Sequence, residues 1–201
     1  MARNADPERI ARKREHIAVA AGRLFATHGY EATSVALVAA EAEISAASVF
    51  YYFSDKAALF RAVFEQDLPT VESLMAEWGD AADAVEGILA ILDALVEDAA
   101  EPGAAGMVVE LVRRVKHDPQ LMEIVTRTGE VVRTGLASLI ARGQSTGSID
   151  PALEPERAAA WLQTIVDGAY LGAEEGRAPT AEVRRTALGY LRAPSGKDDS
   201  D

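Results

Sequence analysis

The chain has 201 residues, 49% hydrophobic and 26% charged, and contains no cysteine. This is the composition of a globular protein with one domain, or one plus a satellite; it excludes disulfides, thiolate metal sites and cysteine nucleophiles. The formal net charge is −12, and all of that excess lies in residues 66–201, because residues 1–65 carry eight basic and eight acidic side chains.

In chain order, the apolar residues recur at three- and four-residue spacing, and no period-two run is sustained, so the reading is all-helical. Asp6-Pro7 predicts an N-cap and first helical position. Ile10, Ile17, Ala21, Leu24 and Phe25 then share one face, and Gly29 ends the helix. Thr33-Ser34 offers a cap for a short helix with Val35, Val38 and Ala39 inward. A second short helix runs from Ser45 to about Tyr52, with Val49 and Phe53 toward a small core and Ala46, Ala47, Tyr51 and Tyr52 outward. Ser54-Asp55 caps a longer helix containing Leu59, Val63 and Phe64, for which Pro69 predicts a kink or break.

Gly79-Asp80 is a stop. Val85 to Glu97 and Ala104 to Lys116 read as amphipathic helices separated by Glu101-Pro102-Gly103. Pro119 opens a long helix to Arg142, with Gly143 to Pro151 as a loop. Glu154-Pro155 starts another helix, to about Gly176, and Thr180 caps a last one ending near Leu191. Residues 193–201 have the composition of a disordered tail.

Two short helices joined by a tight turn, preceded by one helix and followed by a capped one, suggest a helix-turn-helix. Exposed adjacent tyrosines on a short helix lack a stability reason. A tyrosine hydroxyl can donate to phosphate, and its ring can meet a thymine methyl. Ser45 leaves backbone N–H groups free for phosphate. Lys56, in the first turn of the next helix, sits where a bound phosphate would favour it.

Residues 17–64 resemble the N-terminal DNA-binding domain of the TetR family of transcriptional regulators. The matching pieces are Ala20-Ala21 with Leu24-Phe25, Gly29-Tyr30, Thr33-Ser34-Val35, Val38-Ala39, Ile44-Ser45 and Ser48 to Phe53, followed by Asp55-Lys56 and Leu59. The resemblance implies an all-α chain. A three-helix DNA-binding domain at 8–66 precedes a larger effector-binding and dimerisation domain at 67–192. It places the DNA contacts at Thr33, Ser34, Ser45, Ala46, Ala47, Ser48, Tyr51, Tyr52 and Lys56. Phe50 stands where the family usually has tyrosine, and Glu43 where its turn usually has glycine. A side chain in that left-handed turn costs about 1–2 kcal/mol.

Ala160, Thr164, Gly168, Gly172 and Gly176 recur every fourth residue, a small-residue stripe suited to close helix approach. With the long helix before it, the stripe predicts a four-helix dimer interface that includes Val132, Leu136, Leu139, Thr164, Gly168 and Gly172, the alternative being packing within one subunit. Candidate effector contacts are Met75, Trp78, Met107, Glu110, Met122, Trp161 and Tyr170. Glu110 could instead pair with Arg113 or Arg114 at helical spacing.

The expected partners are double-stranded DNA, a small-molecule effector and a second copy of the chain. No cofactor or metal is expected. No apolar run reaches the ~18 residues of a membrane span, and the charged first 16 residues do not read as a signal peptide, so a cytoplasmic place is expected. No nucleophile–base pair or phosphate-cradling glycine loop argues for an enzyme. The competing reading is a helical ligand-binding or protein-interaction module with weakened DNA binding.

Overall fold

A computed structural model of the chain describes residues 7–192. Among them are ten α-helices and no strand. These are α1 (Pro7–Ala32), α2 (Val35–Glu41), α3 (Ala46–Tyr52), α4 (Lys56–Phe64), α5 (Asp67–Trp78), α6 (Ala84–Glu97), α7 (Ala104–Val115), α8 (Pro119–Thr146), α9 (Pro155–Gly172) and α10 (Thr180–Leu191). The expected Asp6 cap and the 193–201 tail lie outside the described residues. No single described helix is long and apolar enough to cross a membrane.

The described residues form two compact units, each built from two separate stretches of the chain. Among the described residues, the first unites those from Pro7 to Thr70 with Pro102–Thr128; the second unites Val71–Glu101 with those from Gly129 to Arg192. Helix α7 and the start of α8 therefore belong with the helix-turn-helix. The reason is apolar: Met107, Leu111 and Val115 of α7 pack on the first unit's core, and Leu121 is fully buried in it.

That core is built from spacing. Ile17, Ala21 and Phe25 project from one face of α1 at four-residue intervals, and meet Val38 of α2, Val49 of α3, Phe53, and Leu59 and Phe60 of α4. Gly29, at φ 75° and ψ 168°, interrupts the α1 helix as expected. The reversal lets Tyr30 stack on Phe25 (centroids 5.4 Å) and meet Phe60 edge-on (5.3 Å). Such pairs add about 0.5–1.5 kcal/mol each beyond area burial.

Asp118 precedes α8 and accepts the Leu121 amide (3.0 Å) and the Arg61 guanidinium (2.7 Å). Partial burial alone would push its carboxyl up. The Leu121 amide and Arg61 outweigh that and hold it below the ordinary aspartate value of 3.8. A lowered folded-state value means its stabilisation is complete above the unfolded value and is lost as pH falls through the folded one. Asp118→Asn is expected to cost about 1–2 kcal/mol at neutral pH. It should also remove part of the acid-induced fall in stability below pH ~4, as read by urea melts in a pH series. An unchanged acid limb would assign that limb to other carboxylates.

The second unit buries Ile88, Ile91 and Leu92 of α6 with Leu136, Leu139 and Ile140 of α8, Leu162 of α9, and Val183, Ala187 and Leu191 of α10. Arg184 of α10 pairs with Asp93 and Glu86 of α6.

Four boundaries differ from the sequence expectation. The break near Pro69 falls earlier, at Glu65–Gln66, and Pro69 sits in the first turn of α5, where proline is tolerated. Helix α8 continues past Gly143 to Thr146. Ile149 folds back over Gly143 so closely that an added Cβ would lie 2.5 Å from its Cδ1, which is why a glycine serves inside this helix. Helix α9 stops at Gly172 rather than near Gly176. Thr180 is the first residue of α10, not its side-chain cap.

Candidate nucleic-acid interface

Helix α3 is short, and its presentation is set by residues on either side. Ser45 caps its start, accepting the Ser48 amide (3.1 Å), and the two hydroxyls lie 2.8 Å apart. Val49 and Phe53 anchor it from beneath. With those two inward, Ala46, Ala47, Phe50 and Tyr51 face solvent; Tyr51 is 70% exposed and Phe50 55%. Ser48 and Tyr52 are half-buried, and the Tyr51 and Tyr52 rings meet edge-on at 4.9 Å.

Ser34 caps α2, accepting the Leu37 amide at 3.2 Å, and remains exposed. Thr33 differs from the expectation of a DNA contact. It is 1% exposed, and its hydroxyl donates to the Gly29 carbonyl (2.8 Å), with the Leu24 carbonyl 3.2 Å away. It closes the end of α1 from inside instead of facing outward.

Lys56 does not swing free. Its Nζ donates to the Tyr30 carbonyl (2.9 Å) and lies 4.4 Å from the centre of the Tyr30 ring. Beside it, Asp55 caps α4 by accepting the Ala58 amide at 2.7 Å. That bond, aided by the Ser54 hydroxyl, holds the Asp55 carboxyl below its ordinary range against the effect of burial.

Two further features escaped the sequence reading. Arg14 belongs to the basic run before residue 15, but its Nη1 donates to the Tyr52 carbonyl (2.6 Å) and its guanidinium lies 4.4 Å from the centre of the Phe53 ring. It thereby clamps the C-terminal end of α3 to α1. The signal was available: Arg14 falls on the inward stripe between Ile10 and Ile17. The second feature is Phe50, an exposed apolar ring on the outer face of α3 and a candidate for a thymine methyl. Arg9, Arg12 and Lys13 do remain on the surface of α1.

Glu43 lies in the turn between α2 and α3 at φ 53°, the only described non-glycine residue with positive φ. Glu43→Gly is expected to relieve about 1–2 kcal/mol of strain. Glycine's extra unfolded-state freedom offsets about 0.5–1 of that. The net is a small gain in thermal stability; a loss would show that the glutamate side chain is held by the turn.

The other predicted site residues are distributed over both units. Val132, Leu136 and Leu139 are buried within their own unit, so they are core and not free to meet a second copy. Thr164, Gly168 and Gly172 are exposed on α9, flanked by exposed Trp161 and Leu171. The seven effector candidates divide between the units. Met107, Glu110 and Met122 lie in the first; Met75, Trp78, Trp161 and Tyr170 lie in the second. Met107 is core packing, and Glu110 pairs with Arg114 (3.4 Å) and Arg113 (3.9 Å). Tyr170 donates to the Leu95 carbonyl (3.0 Å), and Trp161 and Met122 are exposed. The Met75 Sδ covers Gly135, where an added Cβ would lie 2.3 Å away.

Residues 17–63 match the family described as bacterial regulatory proteins, tetR family, and residues 84–193 match the C-terminal domain of the BetI-type transcriptional repressor. The chain is 26% identical over 193 residues to the HTH-type transcriptional repressor AcnR of Corynebacterium jeikeium (strain K411), covering 92% of this chain and 95% of that one. AcnR of Corynebacterium efficiens is 23% identical over 164 residues, covering 82% and 83%. Among solved structures, the fatty acid degradation regulator FadR of Bacillus halodurans superposes with a TM-score of 0.75 at 20% identity, covering 96% of this chain and all of that one. FadR of Bacillus subtilis, in complex with stearoyl-CoA, gives 0.73 at 18%, covering 88% and 96%. At these identities the superpositions establish a shared fold.

Proposed function

The chain belongs to the TetR family of bacterial transcriptional regulators, DNA-binding proteins and not enzymes, and we propose that it works as a dimeric repressor released from a palindromic operator by a small molecule. The observation that carries the DNA-binding part is α3: a helix seated on Val49 and Phe53 that turns Ala46, Ala47, Phe50 and Tyr51 outward. In a dimer, two such helices about 34–36 Å apart enter successive major grooves.

Because α3 carries no arginine or lysine, bidentate readout of guanine is absent from it. Recognition rests on methyl and ring contacts from Phe50 and Tyr51, phosphate contacts at the α2 and α3 N-termini, and the exposed cations of α1. In this reading Ser34, Ser45, Ser48, Tyr52 and Lys56 support phosphate contact, with Lys56 moving from the Tyr30 carbonyl to do so. The dimer surface is assigned to the exposed face of α9 around Thr164, Gly168 and Gly172. Helices α5 and α8 each run from one unit into the other, which makes them the routes by which an effector in the second unit shifts α3. Such a shift requires that the effector bind the two states with different affinity.

Fluorescence anisotropy on DNA from the chain's own upstream region, in a salt series against unrelated competitor, tests this. Steep salt dependence and preference for the upstream fragment are expected. Lys13→Ala should lower the salt slope by about one. Arg14→Ala should weaken binding about tenfold with the slope unchanged, because Arg14 positions α3 and touches no phosphate. No preference for any fragment in a genome-wide selection would overturn the repressor reading.

A further inference from the structure

A cavity of about 220 Å³ lies in the first unit, outside the helix-turn-helix surface, lined by Tyr30, Phe60, Arg113, Arg114, His117 and Asp118. One water requires about 10–15 Å³ of such space, so the cavity admits a small multi-atom ligand. Its walls are two aromatic rings and three basic side chains. Its single acid is already engaged: Asp118 accepts Arg61 at 2.7 Å and the Leu121 amide at 3.0 Å.

The basic groups, by contrast, are incompletely matched. Arg113 has only a long pair with Glu110, 3.9 Å, and its side chain is 70% exposed. Arg114 reaches Glu31 at 2.7 Å and Glu110 at 3.4 Å, and stacks 3.3 Å from the centre of the Tyr30 ring. Its Nε is buried with no acceptor. Glu31 is a surface group, its side chain 83% exposed, and so a weak competitor for Arg114. The lining has guanidinium donors in surplus over its one, already engaged, carboxylate. Guanidinium groups are planar forks matched to carboxylate and phosphate oxygens.

From this geometry we infer that the cavity between Tyr30, Phe60 and the C-terminal turn of α7 binds a small oxyanion, carboxylate or phosphate in character. The anion accepts from Arg113, Arg114 and His117 and takes Arg114 away from Glu31. Since Glu31 belongs to the end of α1 and Arg114 to α7, occupancy replaces a direct link between these elements with one through the ligand.

Isothermal titration calorimetry of the full chain without DNA, at ionic strength fixed with chloride, tests this with inorganic phosphate and with malonate. A saturable heat is expected for at least one of them, and which one identifies the phosphate or carboxylate class. Arg113→Ala and His117→Ala, side chains outside the packed core, are each expected to weaken it about fivefold or more. Arg114 also packs on Tyr30, so it is not the test residue. Titrations that never saturate, or saturable binding that both substitutions leave unchanged, would overturn the site. The measurement uses no operator, so its failure is separate from failure of the repressor reading.

Discussion

Gly103→Ala is expected to destabilise the first unit by about 2–5 kcal/mol, the sum of a left-handed backbone penalty and forced overpacking. Gly103 sits at φ +83° immediately before α7. A Cβ there would lie 2.3 Å from the Ala26 carbonyl oxygen and 2.6 Å from its carbon. Both obstacles are backbone of α1, so no side chain can move aside. The entry of α7 would have to shift away from α1, carrying Met107 and Leu111 with it. Gly106→Ala is the control. Its Cβ would meet only the Ala26 oxygen, at an ordinary 3.5 Å, and alanine favours the helix by about 1 kcal/mol. Urea melts of the two variants should move in opposite directions. Equal midpoints would mean that α7 does not depend on the close approach at Ala26.

The second large effect is expected at Phe60. It is 1% exposed and touches Phe25 (5.1 Å), Tyr30 (5.3 Å) and Phe64 (5.2 Å). Phe60→Ala should cost about 3–5 kcal/mol, whereas Phe60→Leu, closer in volume, should cost less. Val49 and Phe53 hold α3 on the same core, so operator affinity should fall with stability. Hydrogen exchange at α1 and α4 should rise. Both tryptophans, Trp78 and Trp161, lie in the second unit, so native tryptophan emission should be retained. A Phe60→Ala variant that melts within 1 kcal/mol of the parent would show that the aromatic cluster is not the structural centre of this unit.

What the sequence determined by itself was local. Helix spacing, the caps at Ser34, Ser45 and Asp55 and the break at Gly29 all follow from chemistry within a few residues, whereas the strained turn at Glu43 was legible only through the family resemblance. The amphipathic stripes suggested the helix-turn-helix, and the ordered run from Ala20 to Leu59 made it legible through its resemblance to the TetR family. Local chemistry also announced the pairing of Glu110 with Arg113 and Arg114, because helix geometry fixes three- and four-residue neighbours.

Tertiary structure decided whatever depended on distant partners. Thr33 looks like a surface hydroxyl in sequence, but the packed end of α1 buries it, with its hydroxyl on the Gly29 carbonyl. Arg14 stands in sequence among the surface cations Arg9, Arg12 and Lys13, but Tyr52 and Phe53, 38 and 39 residues away, capture it. Val132, Leu136 and Leu139 form an apolar stripe that serves a core and a subunit interface equally well on paper; which one they serve depends on what the rest of the fold places against them. The assignment of α7 to the first unit, and with it the basic cavity beside Tyr30, rests on contacts across more than 80 residues. Periodicity states that a face is buried, but not against what, because side-chain spacing encodes the local helix and only packing selects its neighbour.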